Sequence, residues 1–422
     1  MSTFVFDDYY FDHVSGEAVF RYHLEGGLSY VERVHFVVTK EYDSEVLDRA
    51  LFLAFMLIGI SYYKAFPSCK VQLFSREIDD WQAEFFSRVY QEGLSQFAFE
   101  NGLTRDGLAE FTATGKHRLA VPYGGAGVIA LQSGGKDSLL LATMLQEQNV
   151  DFSSLYISSG TKYPQVIDDI GRPVRLVQRH IDKVALQQAA DAGGKNGHVP
   201  VTYIVLAISL VQVVLDGKNT VLAAIGHEGE EPHAWVDDLP VNHQWSKTWQ
   251  AEQLFAEYIG RYVSPDIRVG SPLRQYSELK VAELFASRAW IKFGRSFSSC
   301  NVANYGQGVD NQQLGWCGRC PKCANAYLLF APFVDAAELQ DVFGGQDLFA
   351  IPDLVLTFKG LLGIDDVMKP FECIGEVDEL RLAYHSALQN GYQPLPFDVP
   401  LSLFNADTTH PAQLWAVRLA SE

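Results

Sequence analysis

The sequence predicts an α/β protein: a doubly wound parallel sheet with an α+β segment ahead of it and a helical extension behind. Three observations predict it. From residue 127 onward strand-like and helical runs alternate, with strands at 128–132, 152–158, 174–179 and 220–225 and helices such as 136–148 and 200–215 between them. Before residue 122, short aromatic and β-branched runs lie beside apolar-striped helices. Beyond residue 333 come helix-like segments, Val377–Gln389 among them, and a proline-rich stretch at 393–400. The expected division is 1–122, 123–332 and 333–422.

In the first segment, runs at 4–11, 18–23 and 30–38 read as strands, the first two joined across Val14-Ser15-Gly16-Glu17. Asp43 or Ser44 can cap a helix reaching Tyr63, with Leu47, Ala50, Leu51, Ala54 and Leu57 on one stripe. A short strand at 70–74 and a helix over 81–97 follow. No catalytic constellation is present, so this segment reads as packing or as a cover for substrate. Pro122 and Gly124-Gly125 mark its end.

The chain is organised around residues 127–145, GVIALQSGGKDSLLLATML. An apolar run, Val128 to Leu131, meets a glycine turn, and Leu139, Leu140, Leu141, Met144 and Leu145 then line one helix face. Glycines at such a junction let backbone approach a ligand, and the helix start offers unpaired N–H groups to an anion. Ser133, Gly134, Gly135, Lys136, Asp137 and Ser138 therefore read as a phosphate cradle. It is not a Walker loop, because Asp137 follows the lysine and the upstream glycine is missing. Asp137 can help position Mg²⁺ or simply cap the helix.

After the fourth strand, residues 223–252 are polar, rich in His, Trp and acids, and long for a plain connection. His227, Glu228, His243 and Lys247 are the candidate acid–base groups, and Gln244 and Ser246 candidate substrate contacts. A last short strand at 267–269 leads into a helix that carries Tyr276, Lys280 and Glu283.

Of six cysteines, Cys317, Cys320 and Cys323 form two overlapping CxxC steps, and Cys300 lies upstream. Four thiolates can surround a tetrahedral ion, and Zn²⁺ suits an all-sulfur site best. The same thiols can instead act as bases or hold an iron–sulfur cluster. Arg319 and Lys322 make this knot basic, which suits an anionic substrate or simply lowers the thiol pKa values.

Composition sets the outer limits. Apolar residues make up 48% and charged residues 20%, as in an ordinary globular protein. A net charge of −18 argues against a nucleic-acid partner but leaves room for a small anionic substrate. The N-terminus shows no basic start or apolar core of a signal peptide, and the apolar stretches at 50–63 and 199–215 read as buried helices. A cytoplasmic protein with no membrane partner is the expectation; the oligomeric state is not legible.

The hexapeptide SGGKDS resembles the PP-loop of the ATP pyrophosphatases, a family with a HUP-like sheet in which the loop grips the pyrophosphate released when ATP adenylates a substrate oxygen. Taken with GHE…NHQWSK and SCN…WCGRCPKC, the chain is similar over nearly its full length to the MurL family of UDP-N-acetylmuramoyl-L-alanyl-L-glutamate epimerases. That resemblance implies ATP and Mg²⁺, a UDP-muramoyl dipeptide as substrate, and inversion of its terminal glutamate with release of AMP and pyrophosphate. The loop and cysteines also resemble the cyano-deazaguanine synthases, where four cysteines hold zinc, but those chains are shorter and lack a segment like 1–122. An amide- or nitrile-forming ligase and a tRNA-thiolating enzyme are the competing readings.

Overall fold

A computed structural model describes residues 3–74, 76–116, 119–305 and 312–410. The end of the expected C-terminal extension, 411–422, lies outside them. The strands are β1 (Phe4–Asp12), β2 (Glu17–Leu24), β3 (Ser29–His35), β4 (Val71–Leu73), β5 (Val128–Leu131), β6 (Phe152–Ser158), β7 (Val174–His180), β8 (Thr220–Leu222), β9 (Ala234–Val236), β10 (Leu239–Val241) and β11 (Arg268–Gly270). Nine of them form one sheet in the order β11-β8-β5-β6-β7-β3-β2-β1-β4, and β9 and β10 pair as a separate hairpin.

From β11 to β7 all neighbours run parallel, as the alternating pattern predicted. The N-terminal strands then continue the same sheet, because β3 pairs antiparallel with β7 through Arg33↔His180, Val34↔Arg179 and His35↔Gln178. The seam is fixed by a buried ion pair between Arg179 Nε and Glu32, 2.6 Å apart, with Glu32 wholly buried. A charge placed there is tolerated only with its partner in reach.

Side chains alternate faces along each strand. Ile129, Leu155 and Val221 enter a core shared with helices Ser44–Ile58 and Val201–Leu215, whereas Ala130, Tyr156 and Leu222 enter a second core. That second core takes in helices Lys136–Glu147, Glu278–Arg288, Pro321–Phe330 and Val377–Gln389. Helices thus cover both faces. Among the described residues, one stretch, Ser44–Tyr63, is long and apolar enough to cross a membrane, and 94% of it is buried inside the fold.

Local expectations change in places, and the strand expected at 30–38 ends at His35. The helix expected over 81–97 is two, Asp80–Glu92 and Ser95–Glu100, because the backbone leaves the helical region at Leu94, with φ −103° and ψ 14°. The strand expected at 220–225 ends at Leu222, where the chain leaves the ladder to form a cavity wall.

Candidate active site

The chain order of the strands reverses between β5 and β8, and at their carboxyl ends lies a cavity of about 430 Å³. Parallel sheets place ligands at such a switch point. Ser133, Gly135, Lys136, Asp137 and Ser138 line it from the end of β5, and Ala223, Ala224 and Ile225 from the end of β8.

The glycine turn is shaped by its own atoms. Gly134 sits at φ +78°, and a Cβ there would lie 2.4 Å from Leu314 Cδ1 and 3.1 Å from Val166 Cγ1. Ser138 Oγ donates to Gly135 O at 3.1 Å and accepts from Ser133 N–H at 3.3 Å. Helix Lys136–Glu147 starts from Gly135 with no side chain capping its first N–H groups. Those donors face the cavity end and are suited to an anion.

Lys136, expected to supply an ammonium to the cradle, is buried between two carboxylates, with Nζ 2.7 Å from Asp137 and 2.6 Å from Glu278. Burial disfavours its charge, yet Asp137 and Glu278 outweigh that and hold its pKa above the ordinary lysine value. Glu278 is pushed up to about 7 by burial, against the pull of Lys136 and with Glu228 and Asp137 adding to the rise. Opposite-sign pairing is what permits several ionisable groups in so dry a place.

Glu228 and Lys247 also line the cavity and pair at 3.2 Å. Burial raises the Glu228 carboxyl, opposed by Lys247. The backbone on either side of them is held by the wholly buried Arg274, whose Nη1 donates to Gly226 O, two residues before Glu228, and to Lys247 O, each at 2.8 Å. Arg274 is neutralised by Glu252 at 2.9 Å through Nε. The N-terminal helices brace the same loop: Trp245 Nε1 donates to Glu92 at 2.6 Å, and Asn242 N–H to Ser95 Oγ at 3.1 Å.

Of the remaining candidates outside the cysteine knot, Lys322 alone joins the cavity lining. His227 turns away from the cavity to stack on His410, and its pKa falls to about 4 on burial. His243 pairs with Gln96 at 2.6 Å and packs against His198; burial lowers it to about 4. Ser246 faces a small enclosed space beside Glu252 and Phe255. Gln244 donates to Ile374 O at 3.1 Å, so it holds a neighbouring segment. Lys322 lines the cavity, 3.7 Å from Glu372, whereas Arg319 is exposed outside it.

The four cysteines do converge. The Sγ atoms of Cys300, Cys317, Cys320 and Cys323 all lie within 4.8 Å of one another, with closest pairs at 3.5 and 3.7 Å. A tetrahedral ion with bonds of ~2.3 Å to sulfur would set its sulfurs roughly 3.8 Å apart. The donors and their spacing fit Zn²⁺. Among the described residues it is the one group of three or more His, Cys, Asp or Glu side chains close enough to share an ion. Asn301 and Lys322, each adjacent in sequence to one of these cysteines, reach the cavity wall, so the knot braces the site.

Sequence reasoning missed four residues. Gln132 lines the cavity, is 6% exposed, and has no partner for either amide atom. Its position just before SGGKDS was its only signal. Glu278 follows the helix cap Ser277, where an acid reads as an ordinary first-turn residue. Arg274 and Cys373 stand in stretches with no motif, and Cys373 enters the cavity from the C-terminal extension.

The comparisons with known proteins agree in direction. Residues 1–271 match the family description MurL N-terminal domain, and residues 296–393 match MurL C-terminal domain. A protein of Xanthomonas oryzae pv. oryzae named UDP-N-acetyl-alpha-D-muramoyl-L-alanyl-L-glutamate epimerase is 33% identical over 393 residues, covering 91% of this chain and 85% of its own. Proteins of the same name from Salinispora tropica and a Micromonospora species are 32% and 31% identical, covering 94% and 91% of this chain and 87% and 86% of theirs.

Proposed function

The chain belongs to the MurL family, and from that premise we propose that it inverts the terminal L-glutamate of UDP-N-acetylmuramoyl-L-alanyl-L-glutamate in peptidoglycan precursor synthesis. The observation that carries this reading is similarity over more than nine-tenths of the chain to relatives that share one name. The substrate is small and anionic, and the reaction is cytoplasmic, where UDP-linked precursors form.

In this reading ATP adenylates the glutamate carboxylate and leaves as AMP and pyrophosphate. A free carboxylate resists loss of the neighbouring proton, because a second negative charge would build beside the first. Adenylation cancels that charge and turns the carbonyl into an electron sink, so the α-proton becomes removable. Reprotonation on the other face and hydrolysis complete the inversion. The uncapped helix start after Gly135, with Ser133 and Ser138, receives the departing phosphates. Asp137 is the carboxylate best placed to help hold Mg²⁺, which neutralises triphosphate charge. Cys300, Cys317, Cys320 and Cys323 hold a structural Zn²⁺ that fixes the adjacent wall.

The test is incubation with the muramoyl dipeptide and ATP in heavy water, followed by nucleotide analysis and chiral analysis of the glutamate. AMP, pyrophosphate, D-glutamate and one α-deuteron are expected. Glutamate that keeps its configuration and its α-proton refutes the reading.

A further inference from the structure

We propose that Cys373 is the base that takes the glutamate α-proton, with the Glu228–Lys247 pair supplying the proton on the opposite face. The proposal rests on the epimerase reading and assigns the chemistry that reading leaves open.

Cys373 stands apart from the cysteine knot and lines the main cavity together with Glu228, Lys247 and Glu278. It sits on a strap that the chain fastens on either side of it. Gln244 Nε2 donates to Ile374 O at 3.1 Å, Gly375 N–H donates to Asn325 Oδ1 at 3.0 Å, and Lys369 pairs with Glu231 at 2.8 Å. A thiol on a strap so pinned is held in place rather than left on a loose loop.

Two further side chains on this cavity wall await a ligand. Gln132 has both amide atoms unpartnered, and Glu278 has Oε1 unpartnered, although each residue is more than nine-tenths buried. Buried polar atoms in folded proteins are mostly paired, so two such residues on the wall of one cavity point to a polar molecule in it. Lys247 supplies the cation that a reactive thiolate needs, and its own charge is favoured by Cys373 and Glu228 against the cost of burial.

The protons balance. The Cys373 thiolate removes the α-proton of the adenylated glutamate, and the C–H electron pair passes into the carbonyl to give an enolate. Lys247 then delivers a proton to the other face of the α-carbon. Once the product has left, the Cys373 thiol gives its proton to solvent and the Lys247 amine takes one from solvent, which restores the starting charges. Water hydrolyses the acyl-adenylate to carboxylate and AMP. The competing bases are poorly placed: His227 and His243 lie outside the cavity lining.

The experiment compares wild type, Cys373→Ala and Cys373→Ser in heavy water with dipeptide, ATP and Mg²⁺, after circular dichroism has shown each variant folded. Both variants should still form AMP within about threefold of wild type, while α-deuterium incorporation falls by ~10²-fold or more. The glutamate recovered from this idle cycle should remain L. Exchange at the wild-type rate in either folded variant overturns the assignment. So does loss of AMP formation together with exchange, because Cys373 would then serve adenylation. If wild type itself forms neither AMP nor deuterated glutamate, the epimerase reading falls, and this assignment with it.

Discussion

Gly134→Ala should destabilise the protein by about 2–4 kcal/mol, from two sources that can be separated. The first is conformational: a Cβ at φ +78° costs roughly 1–2 kcal/mol. The second is steric, since the new methyl lands 2.4 Å from Leu314 Cδ1 and 3.1 Å from Val166 Cγ1, and overpacking of this kind costs roughly 1–3 kcal/mol. Leu314 is half-buried and the clashing atom is the end of its side chain, so part of the steric term relaxes. Urea unfolding of wild type, Gly134→Ala, Leu314→Ala and the double variant forms a cycle. In the double variant the Leu314 part of the steric term should vanish, while the Val166 contact and the conformational term remain, giving a favourable coupling of about 1 kcal/mol. Adenylation should slow in both Gly134 variants, because Ser133 and Gly135 flank the displaced backbone. A Gly134→Ala cost below about 0.5 kcal/mol, or zero coupling with Leu314→Ala, would refute the account of the turn.

Three more predictions follow from the site and its surroundings. Protein purified without added metal should carry about one zinc per chain by mass spectrometry, and Cys320→Ala should lose it and melt several degrees lower; iron with a visible absorption band would instead indicate a cluster. Gln132→Leu should raise the stability of the ligand-free protein by about 1 kcal/mol, since an unpartnered buried amide is removed, yet weaken ATP binding by about tenfold in calorimetry; unchanged affinity would remove Gln132 from the binding site. Glu379 is buried and pushed up to about 7 from 4.5 by burial and by Glu278, so the folded state holds its proton more tightly than the unfolded chain. That contribution is full below pH 4.5, is lost as pH rises through 7, and amounts to about 3 kcal/mol across the window. Glu379→Gln should flatten the fall of melting temperature between pH 4.5 and 7, and an unchanged slope would show the assignment to be mistaken.

The parts legible in the sequence were those written locally. Val128 to Leu131 and the glycine turn announce a strand, a bend and a helix within a few residues, and the CxxC spacing brings three thiols together by helix and turn geometry alone. The 223–252 loop drew attention through composition, and the structure brings two of its candidates, Glu228 and Lys247, into the cavity. What was not legible depends on pairing across long distances. The junction of β3 with β7 joins residues about 145 apart, and no run of side chains in either strand specifies that neighbour. Glu278, Arg274 and Cys373 are single residues in ordinary surroundings, and their importance appears only when Lys136, Lys247 and Glu228 come within reach.

The ends of the nine-stranded sheet bear on how the protein behaves in a crowded solution. Both outermost strands, Val71–Leu73 and Arg268–Gly270, are three residues long, so each offers few free backbone groups to another chain. The Val71–Leu73 strand covers only Phe4, Val5 and Phe6 of its nine-residue neighbour. The uncovered remainder is guarded differently: its register slips between Phe6 and Asp8, and it carries Asp7, Asp8 and Asp12. A kink and a row of like charges discourage a second copy from docking there as a tenth strand. Deleting Val71–Leu73 would bare the backbone edge of the uncharged Phe4-Val5-Phe6 stretch, and the expected penalty is self-association rather than a defect in chemistry at the distant cavity.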